Sequence, residues 1–368
     1  MHIIKVRKSL IKALEDEGYV VEVLTARDEY FDTLVAEGYK IHEINTLERQ
    51  GTSVVEQVKL YLEYKTNYKK IRPDFVIHYT IKPNIYGTLV ASSLHIPSIM
   101  TVNGLGQIYE NQKLFKMVSV LYRRACNKSK AVIFQNADDQ QIFISKKIVA
   151  KKKAFLVNGS GIDCQLFSPQ ICNGQAVQPM EGKLKFILIT RLLWTKGVRE
   201  YYEAAERIKK KYPQATFYIV GYTQDNERVG VTSSIMQEWQ KTGIIQFLGS
   251  IPDIRKILCG CDVAVLPSYY REGIPRFLIE ALALGKAIIT TDNVGCRETV
   301  VDNWNGFMVP VKNVDHLYKA MEKMIVMTNE KLTEFKDNSR KFAIEKFDEK
   351  EILKVYTGLT DQYLTTHN

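Results

Sequence analysis

No apolar run in the 368 residues approaches the roughly 20 needed to span a bilayer. The start, Met1-His-Ile-Ile-Lys-Val-Arg-Lys8, carries basic residues with neither an apolar core nor a small-residue cleavage site behind them. A membrane span and an export leader are therefore not expected, and a cytoplasmic home is. Cysteine is sparse and unpatterned: Cys126, Cys164, Cys172, Cys259, Cys261 and Cys296 show no C-x-x-C spacing, which predicts free thiols. Cys259 and Cys261 lead into the apolar run 262–266 and read as small packing residues. Asp-x-Asp occurs nowhere and no His/Cys cluster has zinc spacing, so neither a metal nor another cofactor is expected. Gly104-Leu-Gly106 and Gly159-Ser-Gly161 lack the third glycine of a dinucleotide fingerprint, and no Walker pattern exists. These absences disfavour an oxidoreductase and a P-loop enzyme.

What is present is the composition of a soluble globular chain, 45% apolar and 25% charged, at a length that predicts two domains. The net charge of +10 is unevenly placed. Eleven Lys/Arg (113, 116, 123, 124, 128, 130, 146, 147, 151, 152, 153) stand against two acids, Asp138 and Asp139, between 111 and 160. Such a stretch is either a solvated face on unrelated helices or a basic platform for an anionic membrane, where each cation near the surface adds about 1 kcal/mol. Stacking aromatics are not interleaved with it, so nucleic acid is not expected as a partner.

Short apolar strands alternate with longer amphipathic segments almost throughout, the pattern of an α/β chain built from βαβ units. Strands are expected at 19–26, 40–44, 74–80, 97–102, 131–136 and 153–157, then at 185–190, 215–221, 244–249, 262–267, 287–292 and 306–310. A helix over 52–71 should stop before Pro73. The aperiodic stretch 168–182, with two prolines and two glycines, reads as a linker. The expected division is a doubly wound domain at 1–166, a linker at 167–182, a second doubly wound domain at 183–346, and a helix at 347–368 packing back on the first domain. The beginning departs from the pattern. Ile3, Val6, Leu10 and Leu14 already have helical spacing, so the first strand and its glycine turn are expected to be absent.

The chemistry concentrates in the second half. Strand 185–190 is followed by Arg191 and Lys196, a planar fork and a mobile point charge that together suit a diphosphate. Strand 262–267 is followed by Tyr269-Tyr-Arg-Glu272-Gly273-Ile-Pro275-Arg-Phe-Leu-Ile-Glu280 and then Gly285. Gly273 allows close approach to a ligand, Pro275 suits a helix start, and Gly285 suits its end. The free N–H groups and dipole of that helix start favour an anion. Glu272 before the helix and Glu280 within it can accept hydrogen bonds from sugar and ribose hydroxyls; alternatively, Glu280 simply pairs with Arg276 four positions earlier.

In combination these segments resemble the retaining GT-B glycosyltransferases of family 4, whose Glu-x7-Glu motif is matched by Glu272 and Glu280 and whose upstream Arg and Lys are matched by Arg191 and Lys196. Segments 158–163 and 295–307 are also similar. The resemblance implies two Rossmann-like domains facing a central cleft, with Glu272, Arg191 and Lys196 as the catalytic set. Glu280, Gly273, Ile274, Arg276, Phe277 and Glu298 would complete the donor site, with Glu280 on the ribose. It further implies a nucleotide-sugar donor, UDP-linked being commonest, and retention through front-face attack with the leaving diphosphate as base. More narrowly, Asn103-Gly-Leu-Gly106, Phe134-Gln-Asn136-x-Asp138-Asp139 and 157–163 resemble the capsular-polysaccharide branch. That branch implies a lipid-linked glycan acceptor and a peripheral place on the anionic inner face of the plasma membrane. Asn103 stands where many members have His, and Glu110 and Lys82 are the other acceptor-side candidates. His78, inside a strand, is expected to be packed. The absent first strand motivates a rival expectation, a noncatalytic remnant of the same fold that binds nucleotide-sugar or a partner.

Overall fold

The structure, a computed structural model, describes residues 2–28, 30–47, 53–172 and 184–365. Two compact units emerge: 1–104 with 108–157 and 350–368, and 105–107 with 158–349. A strand forms within every segment expected to hold one, and every strand pairing is parallel.

The first unit holds β1 (Glu22–Thr25), β2 (Lys40–Glu43), β3 (Val76–Tyr79), β4 (Ser98–Val102), β5 (Ala131–Phe134) and β6 (Ala154–Leu156). β4 and β5 are buried at every position, as their continuous apolar sequences require of strands covered on both faces. The helix Val54–Ile71 ends at Arg72, which adopts φ 55° just before Pro73. The helix His2–Asp16 buries Leu10, Ile11 and Leu14, and among the described residues no strand precedes it. In a doubly wound sheet of order 3-2-1-4-5-6 the first strand lies between the second and the fourth. Here β1 and β2 form one sheet and β3-β4-β5-β6 another, and β1 is not hydrogen-bonded to β3. The helix Glu349–Thr365 belongs to this unit because Ile352, Tyr356 and Leu359 share a core with Leu10, Leu14, Ile99 and Ile133. Tyr19 Oη also donates to Asp361 at 2.6 Å.

The second unit holds β7 (Leu184–Ile189), β8 (Ala215–Val220), β9 (Gln246–Phe247), β10 (Val263–Leu266), β11 (Ala287–Thr291) and β12 (Gly306–Val309), in the order β12-β11-β10-β7-β8-β9. The chain reverses its direction of winding between β7 and β10, and ligands of open α/β sheets bind outside the strand carboxyl ends at such a point. Apolar strand residues such as Phe186, Leu188 and Phe217 pack with Tyr201, Leu278 and Phe335 from the covering helices.

Two expectations are corrected. The break between units falls at Val157, not at 166, because segment 158–167 is tied to the second unit. Ile162 exchanges backbone hydrogen bonds with Phe347 and Glu349, and the Arg340 guanidinium donates to the carbonyls of Cys164, Phe167 and Ala283 at 2.7 Å each. Of the expected linker, 173–182 lies outside the described residues. The second correction concerns the thiols. Cys172 and Cys259, 87 residues apart, form a disulfide, because the turn Pro169–Cys172 packs on the helix Arg255–Cys259. The other four cysteines lie outside the disulfide and are buried.

Lys286 begins the segment into β11 with its ammonium buried, donating to the Cys259 carbonyl at 3.1 Å. Burial, and then the neighbouring Lys336, pushes it down from 10.5 to about 8. Below pH 8 the lysine is charged in both folded and unfolded chains and the full burial penalty applies. Between about 8 and 10.5 the unfolded chain keeps a proton that the folded one has released, so stability rises with pH, by on the order of 3 kcal/mol in all. Lys286→Met is expected to stabilise the fold near neutrality and to flatten this rise, as urea midpoints at about pH 7 and about pH 9.5 will show.

Among the described residues, no helix is long and apolar enough to cross a membrane, and no group of three His, Cys, Asp or Glu is placed to hold a metal ion.

Candidate active site

β7 delivers the chain to Arg191, which is exposed, and then to a single 3-10 turn, Trp194–Lys196, closed by Gly197. Gly197 has φ 75°, and a Cβ there would lie 2.1 Å from the Pro267 carbonyl oxygen. Only glycine lets the loop after β7 press against the end of β10 this closely. The Thr195 carbonyl consequently accepts the Tyr269 and Tyr270 N–H groups at 3.0 Å each. Lys196 is thereby carried into the interior, 7% exposed, where its ammonium pairs with Glu272 and sits 4.9 Å over the Tyr270 ring. Ser268 Oγ donates to the same Glu272 oxygen at 2.9 Å. A partly buried carboxylate thus receives one charged and one neutral donor, which offset its loss of water.

The Glu272 loop is seated from below by Gly295, φ 80°, where a Cβ would meet the Gly273 carbonyl oxygen at 1.9 Å and that of Glu272 at 3.0 Å. Gly295→Ala combines left-handed strain with a backbone clash, at roughly 1–3 kcal/mol or more. It is expected to lower thermal stability and displace Glu272, and a melt with a turnover assay on the same protein will check both. Cys296 beside it is fully buried; burial first, then the Glu272 charge, pushes its thiol up to about 12. It stays a neutral packing group and not a nucleophile.

Pro275 caps the helix Arg276–Ala283, whose first N–H groups have no acceptor within the helix. Gly273 immediately follows Glu272; Ile274 and Phe277 are buried, and the Ile274 side chain lies against Gly159. Glu280 is buried and accepts from Arg276 Nε at 2.8 Å, so the helix ion pair weighed from the sequence is present. Arg276 Nη1 also reaches Ser160 Oγ at 3.5 Å. The Glu298 carboxylate is held by Lys346 at 2.9 Å. Lys196, Glu272 and the start of the helix are therefore gathered at the carboxyl ends of β7 and β10, with Arg276 and Glu280 one helix turn apart. The Arg191 guanidinium has no partner among the described residues. A buried cation, a carboxylate and helix-end amides at one place can hold a diphosphate and the hydroxyls of an attached sugar.

On the first unit, Lys82 follows β3 and Asn103 follows the adjacent β4, with Asn84 Nδ2 donating to the Thr101 carbonyl at 2.8 Å between them. The Asn103 Oδ1 atom is buried without a partner, and Glu110 is exposed at the end of the short helix Gln107–Glu110. His78 is buried against Tyr68 Oη at 2.7 Å and Thr88 Oγ1 at 3.1 Å, and burial pushes it down to about 3. It is a neutral packed residue.

Sequence reasoning missed Ser268, which orients Glu272, and Tyr270, which lies beneath Lys196. The usable signal was positional, since Ser268 stands two residues past a fully apolar strand, where ligand loops begin.

Residues 174–342 match the family described as Glycosyl transferases group 1, and residues 1–136 match Glycosyl transferase 4-like. The chain is 29% identical to the N,N'-diacetylbacillosaminyl-diphospho-undecaprenol alpha-1,3-N-acetylgalactosaminyltransferase of Campylobacter jejuni, over 97% of this chain and 95% of that protein. It is 25% identical to an Escherichia coli UDP-Gal:alpha-D-GlcNAc-diphosphoundecaprenol alpha-1,3-galactosyltransferase, over 86% and 81% of the two chains. Among solved structures, Anabaena Alr3699/HepE in complex with UDP and glucose superposes with a TM-score of 0.76 at 18% identity, covering 97% of this chain and 95% of that one.

Proposed function

Since this chain belongs to the GT-B glycosyltransferases of family 4, we propose that it moves a sugar from a UDP-linked donor to a lipid-diphosphate-linked glycan, with retention at the anomeric carbon, in surface polysaccharide synthesis. The observation that carries this reading is the pair of buried Lys196 and partly buried Glu272, steadied by Ser268, beside the start of the helix Arg276–Ala283. In the proposed reaction Lys196, Arg191 and the amides of Gly273 and Ile274 hold the donor diphosphate. Glu272 accepts a hydroxyl of the transferred sugar, and Glu280 a ribose hydroxyl. The C–O bond between sugar and diphosphate breaks as the acceptor hydroxyl attacks the same face, and its proton passes to the departing phosphate oxygen. Fixed cations and amides then stabilise the charge that develops on the leaving group, without reorganising. The proposed charge stabilisation comes from side chains and amides and calls for no metal. Lys82, Asn103 and Glu110 are the proposed acceptor-side residues. The two relatives named for transfer to undecaprenol-diphosphate-linked sugars support the acceptor class, and the second supports a UDP donor.

The test is a donor screen with the purified chain, polyprenyl-diphosphate-linked acceptors and EDTA present, the product anomer being read by proton NMR. Retained transfer from a UDP-sugar is expected. Inverted product overturns the front-face reaction, loss of transfer in EDTA overturns the metal-free one, and donor binding without transfer to any acceptor favours the noncatalytic alternative.

Peripheral membrane contact at the inner face is part of the same proposal, with support from the helix Gln112–Lys128. It exposes Met117 (60%) and Val120 (45%) beside exposed Lys113, Lys116 and Arg124. Not every cation of the basic stretch is free for this. Lys153 Nζ is bound to the carbonyls of Cys126, Asn127 and Ser129, and the Arg123 guanidinium to those of Lys146 and Lys147. Replacing both Lys113 and Lys116 with Gln is expected to weaken binding to phosphatidylglycerol vesicles about 30-fold, at about 1 kcal/mol per cation. Cosedimentation at low and high salt will measure it; equal binding by the variant would remove this helix from the contact.

A further inference from the structure

A cavity of about 520 Å³ opens in the second unit among Trp194, Arg199, Glu200, Arg228 and Tyr269, and Lys196, Glu272 and Glu280 do not line it. Its volume lies within the roughly 300–1,000 Å³ of small-molecule sites. Glu200 Oε2 is buried there with no hydrogen-bond partner, and burial pushes the carboxyl up despite Arg199 and Lys312 nearby. A buried carboxylate oxygen left unmatched calls for a donor from a ligand. Arg199 and Arg228 are both exposed, and among the described residues neither forms a salt bridge. The Arg199 guanidinium sits over the Trp194 indole with its Cζ 4.5 Å from the ring centroid, a cation–π contact that uses no N–H donor. Trp194 is itself anchored, its Nε1 donating to the Glu227 carbonyl at 2.6 Å, and Tyr269 has Lys312 4.6 Å over its ring.

The requirements on a ligand follow. It must bring negative charge for the guanidinium groups, a hydroxyl donor for Glu200, and C–H surface for the aromatic walls. A neutral sugar leaves the cations unmatched; an inorganic anion leaves the walls and Glu200 unused. We propose that this cavity binds an acidic sugar, a pyranose ring bearing a carboxylate, separately from the donor site. The cavity shares its floor with the active site, since Thr195 both lines it and holds the Tyr269-Tyr270 backbone next to Lys196. Acidic glycan bound there would touch the loop that carries Lys196.

Saturation-transfer NMR on the full chain with glucuronic acid, glucose and inorganic phosphate tests this without any transfer assay. Glucuronic acid is expected to bind through its ring protons, about tenfold or more tighter than glucose, the difference being its charge-assisted hydrogen bonds. Phosphate should displace it only weakly. Arg228→Ala is expected to weaken glucuronic acid about tenfold with thermal melting unchanged, since that side chain is exposed. Glu200→Ala should weaken both sugars alike. Equal binding of glucose overturns the acidic specificity, phosphate binding as tight as glucuronic acid reduces the site to an anion site, and undiminished binding by both variants removes it from this cavity.

Discussion

Lys196→Ala is expected to slow sugar transfer about 10²- to 10³-fold, the loss that follows removal of one preorganised partner of a developing charge. The size of the effect comes from where the lysine is held. Its ammonium is inside the protein, against Glu272 and the Tyr270 face, and so acts in a low dielectric with little water to screen it. An exposed Arg191→Ala should cost less, because solvent already attenuates that charge. The lysine variant carries a second consequence. Glu272 is left as a largely enclosed carboxylate, 13% exposed, with Ser268 to compensate it, and breaking the pair from one side costs stability, up to the roughly 3–5 kcal/mol of a fully buried pair.

Activity and stability are therefore expected to separate. Combining Lys196→Met with Glu272→Gln removes both charges, keeps the Ser268 hydrogen bond available, and should recover most of the lost stability. Transfer should be no faster than in the single lysine variant, since Glu272→Gln also weakens the contact proposed to the transferred sugar. Thermal melts beside turnover measurements decide it; recovery of activity along with stability would mean that Lys196 works only as a structural partner.

The parts of this site that were readable from sequence were those fixed by local rules. Apolar runs of four to six residues located the strands, and Pro275 and Gly285 marked where the helix after β10 starts and stops. Arg191 and Lys196 could be placed at the mouth of a strand because a loop after a parallel strand has one place to go. Arg276 and Glu280 meet through helix periodicity alone. What stayed hidden depends on contacts between segments far apart in the chain. The Cys172–Cys259 disulfide spans 87 residues and has no spacing rule behind it. The unit boundary moved to Val157 because Arg340, far along the chain, collects three carbonyls from two other segments. Ser268 became visible only when the Glu272 side chain had a direction. The cavity beside Trp194 joins loops after β7, β8 and β10, which no linear motif links.

Glu280→Ala is expected to raise the donor KM and lower kcat/KM about 10- to 150-fold, the roughly 1.5–3 kcal/mol of a hydrogen bond to a charged group, with kcat changed far less. A ribose contact is made equally in ground and transition states, so its loss falls on binding. The competing explanation is that Glu280 serves only Arg276, with which it shares a 2.8 Å ion pair. The two differ in what Arg276→Ala does. If the carboxylate exists for the ion pair, the two single variants and the double variant share one phenotype, because each removes the same interaction. If it holds the ribose, Arg276→Ala costs little more than a helix-surface pair, about 0.3–0.5 kcal/mol, while Glu280→Ala carries the KM effect alone. Glu280 is 8% exposed on the helix that begins beside Glu272, at the end of the sheet where the donor would lie. The KM comparison of the three variants decides between the two roles directly.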